Sequence, residues 1–482
     1  MAERVEVVII GSGYGGTIPA ARLAQAGMKV VVLERGARLG ARDFAQSDDP
    51  KQLLRVLDLV VSSDNIAYRT GKLVGGASIN MDGGHFRMPQ QSFEVRDQAG
   101  RPYWPAGFSR ATLDPYYERS EAMLRVRQMN WHEIPRAGGL FGKMLDAAGA
   151  SCERARMNYT DCLHCGFCSQ GCRFDKKMTL LHTYLPVAEA AGAEVRPGCQ
   201  VDTLTPEGTG YLVRYRAGGE AREIWGQRVV LGAGGIHSPA LLLRSAAALP
   251  GLSRHVGENF NNNGEHAFIG ILPPGFDDLE RYHCYRGMDN AGLMSFHWFA
   301  SDGISIHPGG GLEPTVLAAT LEHATDPVLP RRAWGMQYKR FVEAVYPHRL
   351  IAFSVLGLAE GHRAVVDRGG GADLVPRDRT AFDGYLDRVD RVMAEVATRS
   401  GVTLTPVVPR RLAGMTSAHL LSTCRIAERA EDGVVSPDGQ VFGHDNLWMC
   451  DASTVPFALG VNPALTISAL AERTSEKILA RG

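Results

Sequence analysis

Residues 5–36, VEVVIIGSGYGGTIPAARLAQAGMKVVVLERG, contain an apolar run, a glycine turn, an amphipathic segment and a second apolar run. This order predicts a strand, a tight turn, a helix and a second strand, which together form a βαβ unit. Gly11, Gly13 and Gly16 give the pattern GxGxxG between the first strand and the helix. Without side chains there, the backbone can approach a pyrophosphate and the helix N-terminus can face its charge. The stretch therefore predicts a dinucleotide site.

Glu34 closes the second predicted strand. Its carboxylate can accept hydrogen bonds from a ribose 2′-hydroxyl, at the offset of about 20 residues expected after the glycines. Gly15, inside the same turn, is included in the predicted cofactor-binding backbone. A glycine turn of some other α/β protein is the alternative interpretation of GxGxxG. The combination of strand, turn, helix and acidic residue favours a dinucleotide site. It does not distinguish between NAD and FAD as the cofactor.

The composition indicates a folded protein with a small-molecule substrate. The 482 residues are 45% hydrophobic, which suffices for a large core and predicts two domains. Lysine plus arginine equals aspartate plus glutamate at 52 each, so no net charge favours nucleic acid or an acidic membrane surface. The start lacks a signal-peptide pattern and the apolar runs are too short for a membrane span, so we expect a cytoplasmic protein.

Two later blocks return the chain to the same sheet. Residues 211–235, YLVRYRAGGEAREIWGQRVVLGAGG, predict a hairpin with a Gly-Gly turn and a buried strand that enters another glycine turn. Residues 446–479, NLWMCDASTVPFALGVNPALTISALAERTSEKIL, predict a strand, a loop closed by Pro463 and an amphipathic helix. Both chain ends therefore belong to the nucleotide-binding half, and such enclosure of the cofactor favours FAD.

The expected fold class is α/β, with a Rossmann-like FAD-binding domain interleaved with an α+β substrate-binding domain. The cofactor domain is predicted to combine residues 1–100, 175–265 and 410–482. Residues 101–174 and 266–409 are assigned to the substrate domain mainly by elimination, because the longer of the two mixes aromatic, proline and polar residues without clean periodicity.

Residues 71–89, GKLVGGASINMDGGHFRMP, contain a second glycine loop. Gly75, Gly76 and Ser78 can bring backbone N–H groups to a flavin or its phosphates. Taken alone, this loop would be an ordinary turn.

Four motifs together resemble the glucose-methanol-choline (GMC) oxidoreductase family, whose members are FAD enzymes that oxidise alcohols. They are GSGYGG with Glu34, VGGASIN, LGAGGIHSPALLLRSA and CDASTVPFALGVNPALTISALAER. The last is similar to the cholesterol oxidase branch, and the spacing of GGASIN to the pyranose oxidase branch. The resemblance implies the GMC architecture for the predicted pair of interleaved domains.

The resemblance also implies the catalytic residues. In the family a histidine in a late loop and an asparagine or histidine in the final loop face the flavin and the alcohol carbon, which implies His419 and Asn462 here. The alcohol O–H needs a base as hydride leaves its carbon, and a neutral imidazole has a suitable pKa, so His419 is the implied base. The Asn462 amide is implied to orient the same oxygen. Leu420 and Leu421 replace the proline and glycine common after this histidine. An acidic base suggested by the cholesterol oxidase branch cannot be aligned among Glu313, Glu322 and Glu343.

Further residues are implied to contact the cofactor. Asp451 matches the family aspartate near the ribityl-phosphate part of FAD. Pro463 introduces a helix whose N-terminus would face the flavin N1 and C2 carbonyl, where negative charge accumulates on reduction. Asn80 stands where some members carry the histidine that links flavin covalently, so a dissociable FAD is expected. The implied set is completed by Val201 and Gly234.

Residues 162–172, CLHCGFCSQGC, space four of the nine cysteines as CxxCxxCxxxC. Ferredoxins wrap an iron–sulfur cluster with this spacing, although Arg173 stands where proline usually follows. Four thiolates also complete a zinc site, which more often uses two separated pairs. The surrounding sequence is similar to that of family glucose dehydrogenases with a cluster and of long-chain fatty alcohol oxidases. A compact loop of reduced thiols is the third interpretation. The candidate metal ligands are Cys162, Cys165, Cys168 and Cys172.

The leading hypothesis is FAD-dependent oxidation of an alcohol to a carbonyl, with proton abstraction and hydride transfer to flavin N5. The electron acceptor is left open between dioxygen and a partner protein reached through an iron–sulfur cluster. The alternatives are an NAD-dependent dehydrogenase and a non-enzymatic flavin- or metal-binding protein. The stretch GLMSFHWFA, residues 292–300, suggests a lipophilic alcohol, although such residues equally form protein cores.

Overall fold

The computed structural model describes residues 2–47, 49–63, 67–288, 290–310, 335–369, 371–408, 410 and 418–481. Its strands are β1 Glu3–Ile10, β2 Val30–Leu33, β3 Leu57–Val61, β4 Ala67–Gly71, β5 Arg127–Gln128, β6 Glu153–Arg154, β7 Arg156–Met157, β8 Glu194–Arg196, β9 Cys199–Glu207, β10 Gly210–Ala217, β11 Glu220–Leu231, β12 His266–Ile271, β13 Leu293–Met294, β14 Ile304–Gly309, β15 Leu350–Gly357, β16 Arg363–Asp367, β17 Ala372–Pro376, β18 Thr403–Pro406 and β19 Leu447–Met449. Its helices are α1 Tyr14–Gln25, α2 Pro50–Leu53, α3 Gln90–Phe93, α4 Arg110–Leu124, α5 Arg136–Ala147, α6 Tyr184–Ala190, α7 Gly234–Ser245, α8 Phe299–Asp302, α9 Met336–Val345, α10 Thr380–Ser400 and α11 Ala464–Ala480.

A seven-stranded sheet contains the predicted nucleotide-binding unit. Its strands run in the order β8, β2, β1, β11, β10, β9, and β19 pairs with the last residues of β11. Because β8, β2, β1, β11 and β19 are parallel, their carboxyl ends meet at one edge. The residues that follow these ends are thereby brought together from distant parts of the chain, among them Gly11, Glu34, Gly232 and Asp451.

The elements predicted around the glycine turns are confirmed. β1, α1 and β2 form the βαβ unit, and β10 and β11 form the hairpin, with Gly218 and Gly219 at φ +59° and +86° in its turn. The late strand and helix are β19 and α11, so both ends of the described chain join the same unit. The predicted α/β fold class is therefore confirmed.

A second, antiparallel sheet has the order β14, β15, β12, β18. Alternate side chains of β15 pack with α5 and α10 into a separate core, namely Ile351, Phe353 and Val355. The intervening Ala352 and Ser354 face the other way. Directly opposite them on β14 lie Gly309 and His307. This second face of the sheet is lined by small and polar residues.

A buried ion pair joins the first and last helices. The Arg22 guanidinium donates to both oxygens of Glu472, with Nη2 2.6 Å from Oε1 and Nε 2.9 Å from Oε2. The Tyr184 hydroxyl also donates to Glu472 Oε1, at 2.6 Å. The Glu472 side chain is fully buried, and these partners satisfy its charge. α1, α6 and α11 are thus fixed to one another.

The boundaries of the two interleaved domains stay a prediction. The strands of the seven-stranded sheet lie within residues 3–231 and 447–449, and those of the second sheet within 266–406. The loop 162–172, predicted to belong to the substrate domain, packs at Gly171 against the ring of Phe44. No helix in the described part of the chain is both long and apolar enough to cross a bilayer.

Candidate active site

A cavity of about 820 Å³ lies between the two sheets. We call its two parts the cofactor end and the substrate end. The cofactor end is lined from the edge of the seven-stranded sheet by Gly11–Gly15, Glu34, Gly232–His237, Asp451 and Pro463. The substrate end is lined from the second sheet and its flanks by Glu265, His307, Gly309, Gly310, Ala352 and Ser354. Between them lie Asn80–Asp82, His419 and Asn462.

In the glycine turn after β1, no side chain fits at Gly15 or Gly16. A Cβ on Gly16 would lie 1.9 Å from the Gly11 carbonyl oxygen, and one on Gly15 would lie 2.6 Å from Asp451 Cβ. Gly11 itself has φ +92°, a region that glycine adopts without strain. The close packing brings the N-terminus of α1 to the cavity wall, which Gly11, Gly13 and Gly15 line and Gly16 does not.

Glu34 is buried beside this turn and lines the cavity. Its Oε2 accepts the Ser12 backbone N–H at 3.0 Å and the Ser12 hydroxyl at 2.7 Å, and its Oε1 accepts the Gly36 N–H at 2.7 Å. These bonds fix the carboxylate and leave further lone pairs for a ribose hydroxyl. The predicted contact to ribose stays a prediction.

The N–H groups of Gly75, Gly76 and Ser78 in the second glycine loop have acceptors within the protein. The Gly75 N–H donates to Ser12 Oγ at 3.1 Å, the Gly76 N–H to the Leu73 carbonyl at 2.8 Å and the Ser78 N–H to the Gly75 carbonyl at 3.3 Å. Gly76 still lines the cavity, whereas Gly75 and Ser78 lie behind its wall. The protein's own acceptors already bind these three N–H groups, and their predicted contact with a cofactor stays a prediction.

Other predicted cofactor residues do line the cavity, namely Asn80, Val201, Gly234, Asp451 and Pro463. Asp451 accepts four hydrogen bonds, from the Gly234 N–H at 2.7 Å, the Ser238 hydroxyl at 2.5 Å, and the Ser453 N–H and hydroxyl at 2.9 and 2.5 Å. Burial raises the pKa of Asp451, and these donors oppose the rise. The residue holds the first turn of α7 against the glycine turn of α1.

Asn462 and Asp82 form one side of the junction between the two ends. The Asn462 amide Nδ2 donates to Asp82 Oδ2 at 3.3 Å, and Asn462 Oδ1 is buried without a hydrogen-bond partner among the described residues. Pro463 follows directly, and α11 begins at Ala464, so its N-terminus faces the same cavity.

His419 forms the other side of the junction. Its Nδ1 lies 3.4 Å from Glu265 Oε2 and 3.4 Å from Asn263 Nδ2. The Asn263 amide is already held, because its oxygen accepts the Leu459 N–H at 2.8 Å and its nitrogen donates to the Val461 carbonyl at 2.7 Å. The Asn263 amide has a second N–H that could donate to Nδ1, but the negative charge of the Glu265 carboxylate, which His307 lacks beside its Nδ1, favours a proton on Nδ1 and leaves Nε2 as the acceptor nitrogen.

Sequence reasoning missed three residues of the site, which are Asp82, Glu265 and His307. Of the acids considered instead, Glu313 and Glu322 lie outside the described residues, and Glu343 is exposed and does not line the cavity. Asp82 lies two residues after Asn80, so its position in the second glycine loop was a usable signal. Glu265 and His307 gave no local signal.

The cysteine-rich loop packs behind the junction. Lys177 is fully buried and its ammonium donates to the carbonyl oxygens of Ile79, Met81 and Cys168 at 2.7, 2.7 and 2.9 Å. The Asn80 Nδ2 donates to the Ser169 carbonyl at 3.0 Å. These bonds attach the loop to residues 79–82, part of the cavity wall.

In the described ranges, no group of three or more histidine, cysteine or acidic side chains is arranged to hold a metal. The predicted iron–sulfur or zinc site at Cys162, Cys165, Cys168 and Cys172 therefore has no support from the arrangement of these side chains. All nine cysteines lie in the described part of the chain, and none of them forms a disulfide there.

The apolar stretch 292–300 does not bear on the substrate. Leu293, Met294, Trp298 and Phe299 are buried in the protein core, and none of these nine residues lines the cavity. This stretch therefore gives no support to a lipophilic alcohol, which stays a prediction.

The cofactor end fits FAD. Two helix N-termini, those of α1 and α11, face the cavity, and such ends attract a pyrophosphate and a reduced flavin. Asn80 Oδ1 and Asn462 Oδ1 are buried acceptors without a partner in the described chain, which suits N–H or O–H donors of a bound molecule. Residues 57–61 of β3 extend the wall, and the cavity volume of about 820 Å³ lies within the range of cofactor sites.

Comparisons with known proteins agree with this geometry. Family models described as GMC oxidoreductase match residues 6–264 and 374–471. The chain is 27% identical to a cholesterol oxidase of Mycobacterium tuberculosis, over 98% of this chain and 91% of that protein. It is 22% identical to a long-chain-alcohol oxidase of Arabidopsis thaliana, over 98% of this chain and 68% of that protein. The crystal structure of a pyridoxine 4-oxidase from "Mesorbium loti" superposes with a TM-score of 0.68 at 17% identity, covering 99% of both chains.

The N-terminal match alone covers more than half of the chain, and it includes both glycine loops described above. The chain therefore belongs to the GMC oxidoreductase family and is an FAD-dependent enzyme that oxidises an alcohol.

Proposed function

We propose that His419 removes the hydroxyl proton of a small alcohol, that Asn462 orients the alcohol, and that FAD is held without a covalent bond. The observation that carries the proposal is the position of His419 and Asn462, which line the cavity where its cofactor and substrate ends meet. FAD, when bound, supplies the acceptor for the hydride that leaves the alcohol carbon.

Glu265 supports His419 as the base. Its carboxylate lies 3.4 Å from Nδ1 and accepts the Ala418 N–H at 3.3 Å, so it is itself held in place. A proton on Nδ1 leaves the Nε2 lone pair for the hydroxyl proton, and the carboxylate stabilises the imidazolium that then forms. Glu265 acts through His419 and is a positioning residue.

Asn462 supports orientation of the alcohol. Asp82 accepts one N–H of the Asn462 amide and so fixes which way the amide points. The second N–H of the amide can donate to the alcohol oxygen as negative charge develops there, while the hydroxyl proton goes to His419. The amide does not titrate, so this contact holds across the working pH range.

Dissociable FAD is supported by Asn80. Its amide lies on the cavity wall and cannot form the bond that a histidine makes to flavin. Denaturation in acid should therefore release all of the flavin into the supernatant, which absorbance measures. Flavin that stays with the precipitated protein would contradict this part of the proposal.

Dioxygen is the proposed electron acceptor, because the named relatives include cholesterol, long-chain-alcohol and pyridoxine oxidases. In air, peroxide and carbonyl product should form in equal amounts. If the carbonyl product forms only when an artificial electron acceptor is added, and no peroxide appears, the enzyme is a dehydrogenase and the oxidase proposal is wrong.

The base is tested by anaerobic reduction of the holoenzyme with a panel of alcohols. His419→Ala should keep FAD but reduce it about 10²- to 10⁴-fold more slowly than the wild type. The matched control is His132→Ala, at an exposed histidine outside the cavity, which should reduce FAD at the wild-type rate. A wild-type rate in His419→Ala would overturn the assignment.

A further inference from the structure

His307 lies on β14, on the cavity face of the second sheet, with 6% of its surface exposed. Its Nδ1 is 3.5 Å from the Asn290 amide Nδ2. The Asn290 Oδ1 accepts the Gly292 N–H at 3.3 Å, so the amide nitrogen is the atom turned toward the ring. His307 Nδ1 therefore accepts a hydrogen bond, and the neutral ring carries its proton on Nε2.

The ring is neutral because burial lowers the pKa of His307. Its Nε2 is buried and has no hydrogen-bond partner in the described part of the chain. A buried N–H without an acceptor destabilises the free protein. Because the ring lies on the cavity wall, an oxygen atom of a bound ligand can accept this N–H.

The other residues that the second sheet and its flanks contribute to the cavity are small or polar. They are Glu265, Gly309, Gly310, Ala352 and Ser354. Ser354 lies directly opposite His307 on the neighbouring strand. Among the described residues, this wall presents an imidazole N–H, a hydroxyl and a carboxylate but no large apolar side chain. A purely hydrocarbon chain placed here would leave the His307 N–H buried without an acceptor.

We infer that His307 donates its Nε2–H to a second oxygen of the substrate. The substrate is then an alcohol with a hydroxyl, ether or carbonyl oxygen close to the carbon that is oxidised. This inference rests on the proposed function, because it concerns the alcohol that His419 deprotonates. It assigns to His307 a role in specificity, separate from that of the base.

The test uses pairs of alcohols that differ in one oxygen. One pair is n-butanol and methoxyethanol, and the other is cyclohexanol and the trans vicinal cyclohexanediol. The holoenzyme is reduced anaerobically with each, and kcat/KM is measured from the bleaching of the flavin. The wild type should prefer the oxygen-bearing member of at least one pair by roughly tenfold, the effect of one neutral hydrogen bond.

Two variants and a control assign the preference to the ring. His307→Leu removes the donor, so the ratio within the pair should fall to about one. His307→Gln keeps an N–H donor and should retain most of the ratio. The matched control is His362→Leu, which removes an equally buried histidine that stacks on Phe382 outside the cavity. This control should leave the ratio at its wild-type value.

Binding is measured separately from turnover. In the His419→Ala holoenzyme, the affinity of each alcohol is taken from the change in the flavin absorption spectrum. If no alcohol reduces the wild-type flavin, the proposed function is wrong, and the affinity ratio within the pairs still decides the role of His307. Equal affinities within both pairs, or a ratio that His307→Leu leaves unchanged, would overturn the inference.

Discussion

At the cofactor end, the cavity is lined largely by backbone that glycine turns bring to the edge of a parallel sheet. At the substrate end it is lined by single side chains from antiparallel strands, such as His307 on β14 and Ser354 on β15. A backbone turn depends on several consecutive residues, so one substitution can distort the whole turn. A wall of separate side chains loses only the contacts of the residue that is replaced. The two ends should therefore respond very differently to substitution.

The largest effect is expected at Gly16. In Gly16→Ala the new Cβ would lie 1.9 Å from the Gly11 carbonyl oxygen, which cannot move without opening the turn. We expect purified protein without flavin, measured by absorbance. Gly27→Ala is the control, because its Cβ has no atom within 4 Å although φ is +87°. This variant should keep FAD, and its free energy of unfolding should fall by about 1–2 kcal/mol. Equal flavin content in both variants would show that FAD binding does not depend on the close packing of Gly16 in this turn.

Lys177 tests the junction between the two ends. Lys177→Met leaves the three buried carbonyl oxygens of Ile79, Met81 and Cys168 without their donor. The free energy of unfolding in urea should fall by about 3–5 kcal/mol. Lys176→Met, at the preceding, partly exposed residue, should change it by less than about 0.5 kcal/mol. Similar losses in both variants would mean that the three carbonyl bonds are unimportant.

Acid should weaken both regions alike. Burial lowers the pKa of His85, in the second glycine loop, and of His266, in the second sheet, to about 4. The unfolded chain takes up these protons near pH 6.5, so the stability present above that pH is lost as pH falls toward 4. At about pH 5 each of these histidines should lower the free energy of unfolding by about 2 kcal/mol relative to its value above about pH 6.5.

Urea unfolding at about pH 7 and about pH 5 measures this loss. His266→Gln should reduce the difference between the two pH values by about 2 kcal/mol, whereas the exposed control His132→Gln should leave it unchanged. An unchanged difference in His266→Gln would show that the ring is protonated in the folded protein.

The smallest effect is expected at Glu265. Glu265→Gln removes the carboxylate beside His419 Nδ1, so the base is no longer held in one tautomer. We expect kcat for flavin reduction to fall about tenfold with little change in KM, and Glu265→Asp to recover part of it. A rise in KM with kcat unchanged would instead assign Glu265 to substrate binding.

The same contrast explains what the sequence could predict. The βαβ unit, the hairpin and the terminal helix follow from local period and glycine spacing, and each is present. Asn462 and His419 were found through the family resemblance. The pairing of His419 with Glu265 spans 154 positions, since 419 − 265 = 154, and no local pattern encodes it. The sequence also did not show that Ser12 and the turn itself accept the N–H groups of Gly75 and Ser78, whose contact with a cofactor stays a prediction.

The cysteine loop shows a related limit. Its spacing demonstrates that four thiols can surround a metal, but the spacing is equally compatible with the packing seen here. What ties the loop to the site is Lys177, whose partners lie up to 98 positions away. The spacing of cysteines shows that they could bind a metal. Only the folded structure shows which residues each of them contacts.

The bond between Arg22 and Glu472 joins helices 450 positions apart, and Asp451 packs against Gly15 in the first of them. During synthesis, the glycine turn emerges long before the strand and helix that complete its pocket. The early chain carries the GxGxxG motif but lacks Asp451, Asn462 and Pro463 of the cavity wall, so we expect flavin to bind only after the last strand and helix have been made. Cofactor loading becomes a late event, and a chain interrupted before residue 447 keeps the motif and lacks the site.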